Sequence, residues 1–302
     1  MLLIILIFLN LILSDTYKYN EYKFNYYLSS KTADSKHRVF LPIYSSSLQL
    51  KDVQTCIRSA IIIQHGLSAN ADDYFAETLS ATGDRISDVI IISPLFGSEH
   101  LNGSQWQQGG NGSDVALSFS GNSCWMDGCD NKGSAANFAS SFDAYDQMLL
   151  FLMDRYYFPN MSLITLAGFS AGAQFLNRYS WATSLQYPQK LVQFIISDAG
   201  TYLYLSDERP DKSCRPLNTS NVMPCKVYNV PNVASCIGYN YYKYGLTRLP
   251  VDKYQYFSKF SNINLTNQHT ADLINKNLRF IFGAQDICNC NQAGNNTVLT
   301  QH

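Results

Sequence analysis

A serine placed between two glycines is the part of the sequence best suited to covalent chemistry. Residues 168–172 have the pattern G-x-S-x-G, centred on Ser170. On a tight turn from strand to helix, a serine exposes its hydroxyl only when the residues two before and two after it lack bulk. Gly168 and Gly172 meet that requirement, so the pattern predicts Ser170 as a nucleophile.

The residues on either side of this pentapeptide predict the strand and the helix that the turn needs. Residues 162–167 form an apolar run typical of a buried strand, and apolar residues recur at helical spacing from 171 to 185. The arrangement strand, turn and helix is therefore expected around Ser170.

A nucleophilic serine also needs backbone N–H groups that stabilise the negatively charged oxygen of the tetrahedral intermediate. The sequence Gln-His-Gly-Leu follows another apolar run at residues 64–67, where Gly66 lets the chain turn. We predict that the N–H groups of Leu67 and Ala171 form this oxyanion hole. We expect His65 to be structural and bonded within its own loop, because the motif places the catalytic base later in the chain.

The catalytic acid and base are expected near the carboxyl ends of strands. The last apolar run ends in Gly-Ala-Gln-Asp, which places Asp286 just beyond a strand end, where a carboxylate can orient an imidazole. Asp198, after the preceding strand, is the second choice for the acid. One histidine, His302, follows Asp286 in the sequence, so the base is either His302 or a histidine beyond the last residue of this chain. The other histidines are expected to be surface or structural residues: His37, His100 and His269.

Five short apolar runs rich in β-branched residues alternate with helical or polar stretches. Parallel strands covered on both faces have such continuous apolar runs, so the sequence predicts the α/β class, with a mostly parallel sheet flanked by helices. The predicted strands are 60–64, 88–93, 162–167, 191–197 and 278–283, and the predicted helices are 70–80, 139–157 and the stretch after Ser170.

Two long stretches do not fit this alternation. Residues 97–137 are rich in Gly, Ser and Asn, which indicates a long surface loop. Residues 201–277, between the strand ending near Ser197 and the strand starting near Leu278, have the length of a cap or lid insertion over the strand ends. Aromatic side chains there are suited to stacking on an acyl chain or a sugar ring. Because Tyr is frequent throughout the chain, a compositional bias explains these aromatic residues equally well.

The first residues predict export. Residues 1–14 resemble a signal peptide, with an apolar stretch too short to cross a bilayer, although the lack of an initial Lys or Arg leaves a membrane anchor as the alternative. Residues 15–302 are then one domain, secreted or in an endomembrane lumen. Eight cysteines without zinc-site spacing favour disulfides. Cys124 with Cys129, and the group Cys214, Cys225 and Cys236, are expected to pair locally.

Composition narrows the expected partners. The formal net charge is −1 and no Lys/Arg stripe is present, so nothing supports a nucleic-acid partner or stable membrane insertion. The chemistry of a serine nucleophile requires no metal or organic cofactor. The oligomeric state stays open. Six N-x-[ST] sequons predict glycosylation at some of these residues: Asn102, Asn111, Asn160, Asn218, Asn264 and Asn295.

Three segments, IIIQHGL, LAGFSAGAQF and FIFGAQD, occur in an order that resembles the α/β-hydrolase superfamily, and in particular its secreted esterase-like and lipase-like members. The resemblance spans roughly residues 38–286. It implies the α/β-hydrolase fold, Ser170 as nucleophile, Asp286 as acid and a histidine after the final strand.

These observations predict a secreted serine hydrolase that cleaves carboxylic esters, of small molecules, lipids or carbohydrates, through an acyl-enzyme on Ser170. One alternative is a catalytically inactive protein of the same fold that binds ligands or partners, since the triad histidine is in doubt. The other is a peptidase, because esterases and peptidases share the triad.

Overall fold

The computed structural model describes nine parts of the chain, which contain every element named below. They are residues 21–26, 38–46, 52–97, 114–119, 124–132, 139–210, 227–232, 234 and 236–283. The strands are β1 Glu21–Tyr26, β2 Arg38–Ser45, β3 Ser59–Gln64, β4 Val89–Pro94, β5 Asp114–Ala116, β6 Leu163–Phe169, β7 Val192–Ser197, β8 Arg209–Pro210, β9 Tyr228–Asn229 and β10 Asn277–Ile281. The α-helices are α1 Ala71–Thr82, α2 Ser141–Met153, α3 Ala171–Ala182 and α4 Ile263–Leu273.

Five parallel strands form the centre of the main sheet, in the order β4, β3, β6, β7, β10. They are the five strands that the apolar runs predict, and every boundary agrees to within two residues. Both faces are covered. Ile62 and Leu166 pack on the side of α2 and α3, whereas their neighbours Ile63 and Ala167 pack on the side of α1. The predicted α/β architecture is confirmed.

The order of the strands places a crevice between β3 and β6. From β3 the chain passes through α1 to β4 on one side, and it then crosses to β6 on the other side of β3. In open parallel sheets, ligands bind at such a switch point, outside the carboxyl ends of the strands. The loop after β3 and the turn after β6 therefore face the same crevice.

Three strands at one side of the sheet are additions to the sequence prediction. β2 is antiparallel to β4, β1 is antiparallel to β2, and β5 pairs in parallel with β2. Pro42 interrupts the apolar pattern of β2, and proline is unfavourable within a strand because it donates no ladder hydrogen bond. The carbonyl of Pro42 nevertheless accepts a hydrogen bond from Leu95 N–H at 2.9 Å.

The second helix, α2, is shorter than predicted. It begins at a capping box, in which the Ser140 hydroxyl accepts from Asp143 N–H while the Asp143 carboxylate accepts from Ser140 N–H. It ends at Met153 and not at residue 157, because Asp154 is extended and its carboxylate accepts a hydrogen bond from Tyr156 N–H at 2.8 Å. Asp154 thus stabilises a turn in place of another helical turn.

Within the stretch 97–137, predicted as a surface loop, several described residues are buried. Phe119 and Trp125 are both buried in the main core. A disulfide joins Cys124 to Cys129, which confirms that predicted pair. Cys236, grouped by the sequence with Cys214 and Cys225, has no disulfide partner among the described residues, and the two cysteines of that group lie outside them.

The predicted cap, residues 201–277, contributes part of the core. Phe257 is fully buried against Phe142 of α2, and Phe260 stacks on Trp181 of α3 with ring centroids 4.7 Å apart. Earlier in the stretch, buried Arg209 donates hydrogen bonds to four backbone carbonyls, those of Ser206, Glu208, Tyr239 and Tyr244. Its guanidinium carbon lies 4.0 Å from the ring centroid of Tyr204. The described part of this stretch therefore supplies buried side chains to the core.

Candidate active site

Ser170 occupies the turn between β6 and α3 in a conformation that is rare for a residue with a side chain. Its φ is 53° and its ψ is −115°. Two backbone hydrogen bonds hold it there: Ser170 N–H donates to the carbonyl of Ser197 at 3.1 Å, and the Ser170 carbonyl accepts from Gln174 N–H at 3.0 Å. Within the described residues the Ser170 hydroxyl has no hydrogen-bond partner, and the residue is partly exposed. The turn therefore presents a free hydroxyl at the crevice.

The two glycines of the pentapeptide are required by close backbone packing. A Cβ atom on Gly168 would lie 2.6 Å from the carbonyl carbon of Gly172. A Cβ on Gly172 would collide with the carbonyl oxygen of Gln64 and would lie 2.9 Å from that of His65. The absence of side chains at these two positions brings the start of α3 against the end of β3.

This close approach places the predicted oxyanion-hole residues on both sides of the turn. In the pairing of β3 with β6, Gln64 lies opposite Gly168, so the loop that contains Leu67 begins beside the turn at Ser170. Leu67 is 62% exposed, and no described residue accepts a hydrogen bond from its N–H. Ala171 is the first residue of α3, so its N–H has no acceptor within the helix. Both N–H groups are available to a ligand oxygen.

Tyr74 of α1 contacts the loop after β3. The phenol oxygen would lie 3.0 Å from a Cβ on Gly66, and the Gly66 backbone hydrogen bonds to it. Burial is the main reason that the pKa of Tyr74 is raised to about 12, so the phenol stays neutral. Gly66 therefore permits a contact that a side chain would block.

His65 serves structure in this loop. Its Nδ1 donates to the carbonyl of Gly66 at 2.7 Å, and its Nε2 accepts from Phe96 N–H at 2.9 Å. Because the ring is fully buried, with Trp125 against it at 4.9 Å, the pKa of His65 is lowered to about 4. A neutral imidazole with both nitrogens engaged has no free lone pair with which to accept a proton.

Of the carboxylates that the sequence proposes, Asp198 lies in the described part, at the end of β7. It also has positive φ, 45°, and its N–H donates to the carbonyl of Ile281 at 2.9 Å. Its Oδ1 accepts from Gly283 N–H at 2.7 Å, which ties the segment after β10 to the end of β7. Asp286 and His302 lie outside the described residues.

Sequence reasoning missed a polar network behind the turn. The Gln174 amide oxygen accepts from the hydroxyl of Thr201 at 2.7 Å and from Arg178 at 3.3 Å. Arg178, which is fully buried, also pairs with Asp127 at 3.0 Å, and Lys243 lies 3.6 Å from the same carboxylate. The available signal was the spacing of Gln174 and Arg178 at four and eight residues after Ser170, which places them on one face of α3.

This network links three separate segments. Arg178 belongs to α3, Asp127 to the disulfide-closed turn, and Lys243 to the predicted cap. Arg178 and Asp127 form an ion pair, but their geometry does not make a hydrogen bond to Oδ1 of Asp127. Arg178 further donates to the carbonyl of Met126 at 3.3 Å. The helix behind Ser170 is thereby fixed against both neighbouring segments.

The described residues contain neither a candidate metal site nor a membrane-spanning helix. No group of three or more His, Cys, Asp or Glu side chains there is arranged to hold a metal ion. Over the same residues, no helix is both long and apolar enough to cross a bilayer.

No protein-family model matches the chain, and no curated protein matches its sequence. Solved structures do resemble it. Poly(aspartic acid) hydrolase-1 from Sphingomonas sp. KT-1 gives a TM-score of 0.46 at 15% identity, over 92% of this chain and 76% of that one. LpqC, a poly(3-hydroxybutyrate) depolymerase from Bordetella parapertussis, gives 0.40 at 14% identity, over 88% and 84%. FphF, a fluorophosphonate-binding serine hydrolase from Staphylococcus aureus, gives 0.36 at 12% identity, over 88% and 90%.

All three TM-scores are below 0.5, so the interpretation of the site depends on the geometry of this chain. Its mostly parallel sheet is flanked by helices, with β4 and β6 on the two sides of β3. The sharp turn at Ser170 connects β6 directly to α3. This architecture, with a strand-to-helix turn at a G-x-S-x-G sequence, is the α/β-hydrolase fold.

Proposed function

We propose that the protein is a secreted serine hydrolase that cleaves carboxylic esters through an acyl-enzyme on Ser170. The conformation of Ser170 is the observation that carries the proposal. A residue with a side chain at φ 53° is strained, and such strain costs on the order of 1–3 kcal/mol and clusters at active sites. Here two hydrogen bonds and two closely packed glycines maintain that strain while the hydroxyl stays free.

The proposed reaction begins when Oγ of Ser170 bonds to the ester carbonyl carbon while the catalytic histidine takes the hydroxyl proton. The carbonyl oxygen becomes an oxyanion, stabilised by the N–H groups of Leu67 and Ala171. When the C–O bond to the alcohol breaks, the histidine returns the proton to the leaving oxygen. Water then attacks the acyl-enzyme by the same route, which releases the carboxylic acid and restores Ser170.

We assign Asp286 as the acid and His302, or a histidine beyond the last residue of this chain, as the base. His65 does not fit the role of base, because both its nitrogens are engaged. Asp198 fits the role of a positioning residue, because its carboxylate holds the segment that leads to Asp286. Secretion is part of the proposal and comes from the signal-like residues 1–14. The N-terminal sequence of the product recovered from the medium of expressing cells tests it.

A second candidate function, that of an inactive protein of the same fold, is favoured by the histidines. Both histidines in the described part, His65 and His269, place Nδ1 against a backbone carbonyl, and neither touches the hydroxyl of Ser170. On this hypothesis the crevice binds ligands without turning them over.

One experiment separates these functions. The full-length protein, Ser170→Ala and the matched control Ser258→Ala are incubated with a fluorophosphonate probe and with short-chain chromogenic esters. Ser258 is exposed, and its hydroxyl donates only to the carbonyl of Gln255 within the described residues. We expect labelling and turnover in the full-length protein and the control, and a loss of about 10⁴-fold or more in kcat for Ser170→Ala.

Equal labelling and turnover of all three proteins would contradict the assignment of Ser170 as the nucleophile. No labelling and no turnover in any of them would favour the inactive protein. Hydrolysis of peptide substrates at a higher kcat/KM than that of esters would instead identify a peptidase on the same nucleophile.

A further inference from the structure

A second pocket lies at the far end of the helix that carries Ser170. It has a volume of ≈ 210 Å³. It is lined by residues that follow α3 and by the second half of the predicted cap, which includes α4. Because α3 has 12 residues at about 1.5 Å each, its two ends are about 18 Å apart. The pocket is therefore separate from the proposed active site.

One side of the pocket is formed by residues of α4. Leu265, Gln268, His269 and Asp272 all line it, and their spacing places them on one face of that helix. An inward helix face is normally an apolar stripe. Here the buried His269 and the half-buried Asp272 stand beside the open volume, with Gln268 at its exposed rim, which favours a polar ligand.

Two lysines supply the charge of this pocket. Nζ of Lys259 donates to the hydroxyl of Ser184 at 2.7 Å and lies 4.0 Å from the ring centroid of Tyr256. Nζ of Lys276 donates to the backbone carbonyls of Ser180 and Thr183. Burial is the main reason that the pKa of each lysine is lowered, in both cases to about 8. Because this value is still above 7, both lysines remain mostly cations at neutral pH.

These bonds leave donors free. An ammonium group has three N–H donors, and Lys259 uses one of them in the described structure while Lys276 uses two. Two donors on Lys259 and one on Lys276 remain. The carboxylates that face the lysines are Asp272 at the pocket wall and Asp146 and Asp143 behind Lys259. Neither lysine forms a salt bridge with any of them within the described residues.

His269 adds a third nitrogen. Its Nδ1 donates to the carbonyl of Trp181 at 3.0 Å, and no described residue bonds its Nε2. Burial lowers the pKa of His269, and the charges of Lys259 and Lys276 lower it further, while Asp272 raises it. A bound anion would offset the two lysine charges and favour the protonated ring, whose Nε2–H is then a further donor.

We propose that this pocket binds a small oxyanion, such as phosphate, sulfate or the carboxylate of a small ligand, through Lys259, Lys276 and His269. The volume is below the ~300–1,000 Å³ of pockets for drug-sized ligands, so the ligand is small. The unused N–H donors of the pocket favour a ligand that accepts hydrogen bonds, and the two ammonium groups repel a metal cation. Binding does not depend on the chemistry proposed for Ser170.

The test uses the full-length protein and inorganic phosphate at pH 7, with sodium chloride of the same ionic strength as the reference. We expect saturable binding by calorimetry with a Kd of about 1 mM. Lys259→Gln is expected to weaken it by about tenfold, because charged hydrogen bonds are lost. Lys190→Gln changes an exposed lysine before β7 that does not line the pocket, so it is the matched control and is expected to keep the Kd of the wild type.

Two further measurements keep the proposal testable if a variant is unstable. Proton NMR of the wild type is expected to show the pKa of His269 rising when phosphate is added. Affinity for sulfate, which does not titrate in this range, is expected to fall above pH about 8 as Lys259 and Lys276 lose their protons. Ser170→Ala should bind phosphate as the wild type does.

A sodium chloride titration that gives the same binding signal as phosphate would overturn the proposal. An unchanged Kd for phosphate in Lys259→Gln would overturn it as well. So would a pKa of His269 that does not respond to phosphate. None of these results bears on the esterase activity, which the Ser170→Ala comparison tests separately.

Discussion

The two ends of α3 differ in how their backbone groups are satisfied. At the N-terminal end, Ala171 N–H has no acceptor within the helix, and Ser170 before it is held at positive φ with a hydroxyl that no described residue bonds. At the C-terminal end, the ammonium group of Lys276 donates hydrogen bonds to the carbonyls of Ser180 and Thr183. One end leaves donors open to a substrate, whereas the other places a cation on the carbonyls, where the helix dipole favours it.

The two described histidines show the same difference. His65, beside the crevice, has both ring nitrogens bonded and is fully buried. His269, at the far end, has one nitrogen bonded and lines a pocket. His65, in a motif loop, is therefore a structural residue, whereas His269, away from any motif, has a ring nitrogen that no described residue bonds. Three predictions test this contrast between the ends.

The largest effect is expected at the crevice, from the two candidate acids. Asp286→Asn should lower kcat for ester hydrolysis by about 10³-fold or more, because the amide cannot stabilise the protonated histidine. Asp198→Asn should retain kcat to within about threefold, because the amide oxygen still accepts the hydrogen bond from Gly283 N–H. Steady-state kinetics with a chromogenic ester measures both.

Asp198→Ala provides the matched control, since it removes the acceptor as well as the charge. We expect a loss of about tenfold, the cost of one hydrogen bond to a charged group. A loss in Asp198→Asn as large as that in Asp286→Asn would exchange the two assignments and make Asp198 the acid.

The next effect concerns the middle of α3, where Arg178 connects the two ends to the rest of the fold. Arg178→Met should lower the free energy of unfolding by about 3 kcal/mol, because Asp127 keeps a largely buried charge with a weaker partner. Lys243→Met should cost less than about 1 kcal/mol, because Lys243 is partly exposed and more distant. Urea denaturation of the two variants measures the difference.

Equal losses in the two variants would show that the network acts as one unit and that Lys243 is not peripheral. In that case the double variant should lose less than the sum of the single changes, since the residues share Asp127.

The sequence predicts the N-terminal end of α3, at the crevice, better than it predicts the C-terminal end, and the reason is physical. The strand before Ser170, the turn and α3 are specified by neighbouring residues, through apolar runs and the need for two glycines. The link from Arg178 to Asp127 and Lys243 joins distant segments, so no local pattern contains it. The burial of Trp125 was missed likewise, because a stretch rich in Gly, Ser and Asn resembles a surface loop until the core that covers it is known.

The smallest of the three effects is a pH dependence at His65. Its pKa is about 4 in the folded protein and about 6.5 when unfolded, so the unfolded chain binds more protons between these values. Stability from this group is therefore present above pH 6.5 and is lost as the pH falls toward 4. Between pH 7 and pH 5 the expected loss is about 2 kcal/mol. Urea denaturation at the two pH values should show a smaller loss in His65→Gln than in the wild type, whereas an identical loss would mean that His65 is already protonated in the fold and is not held neutral by the loop.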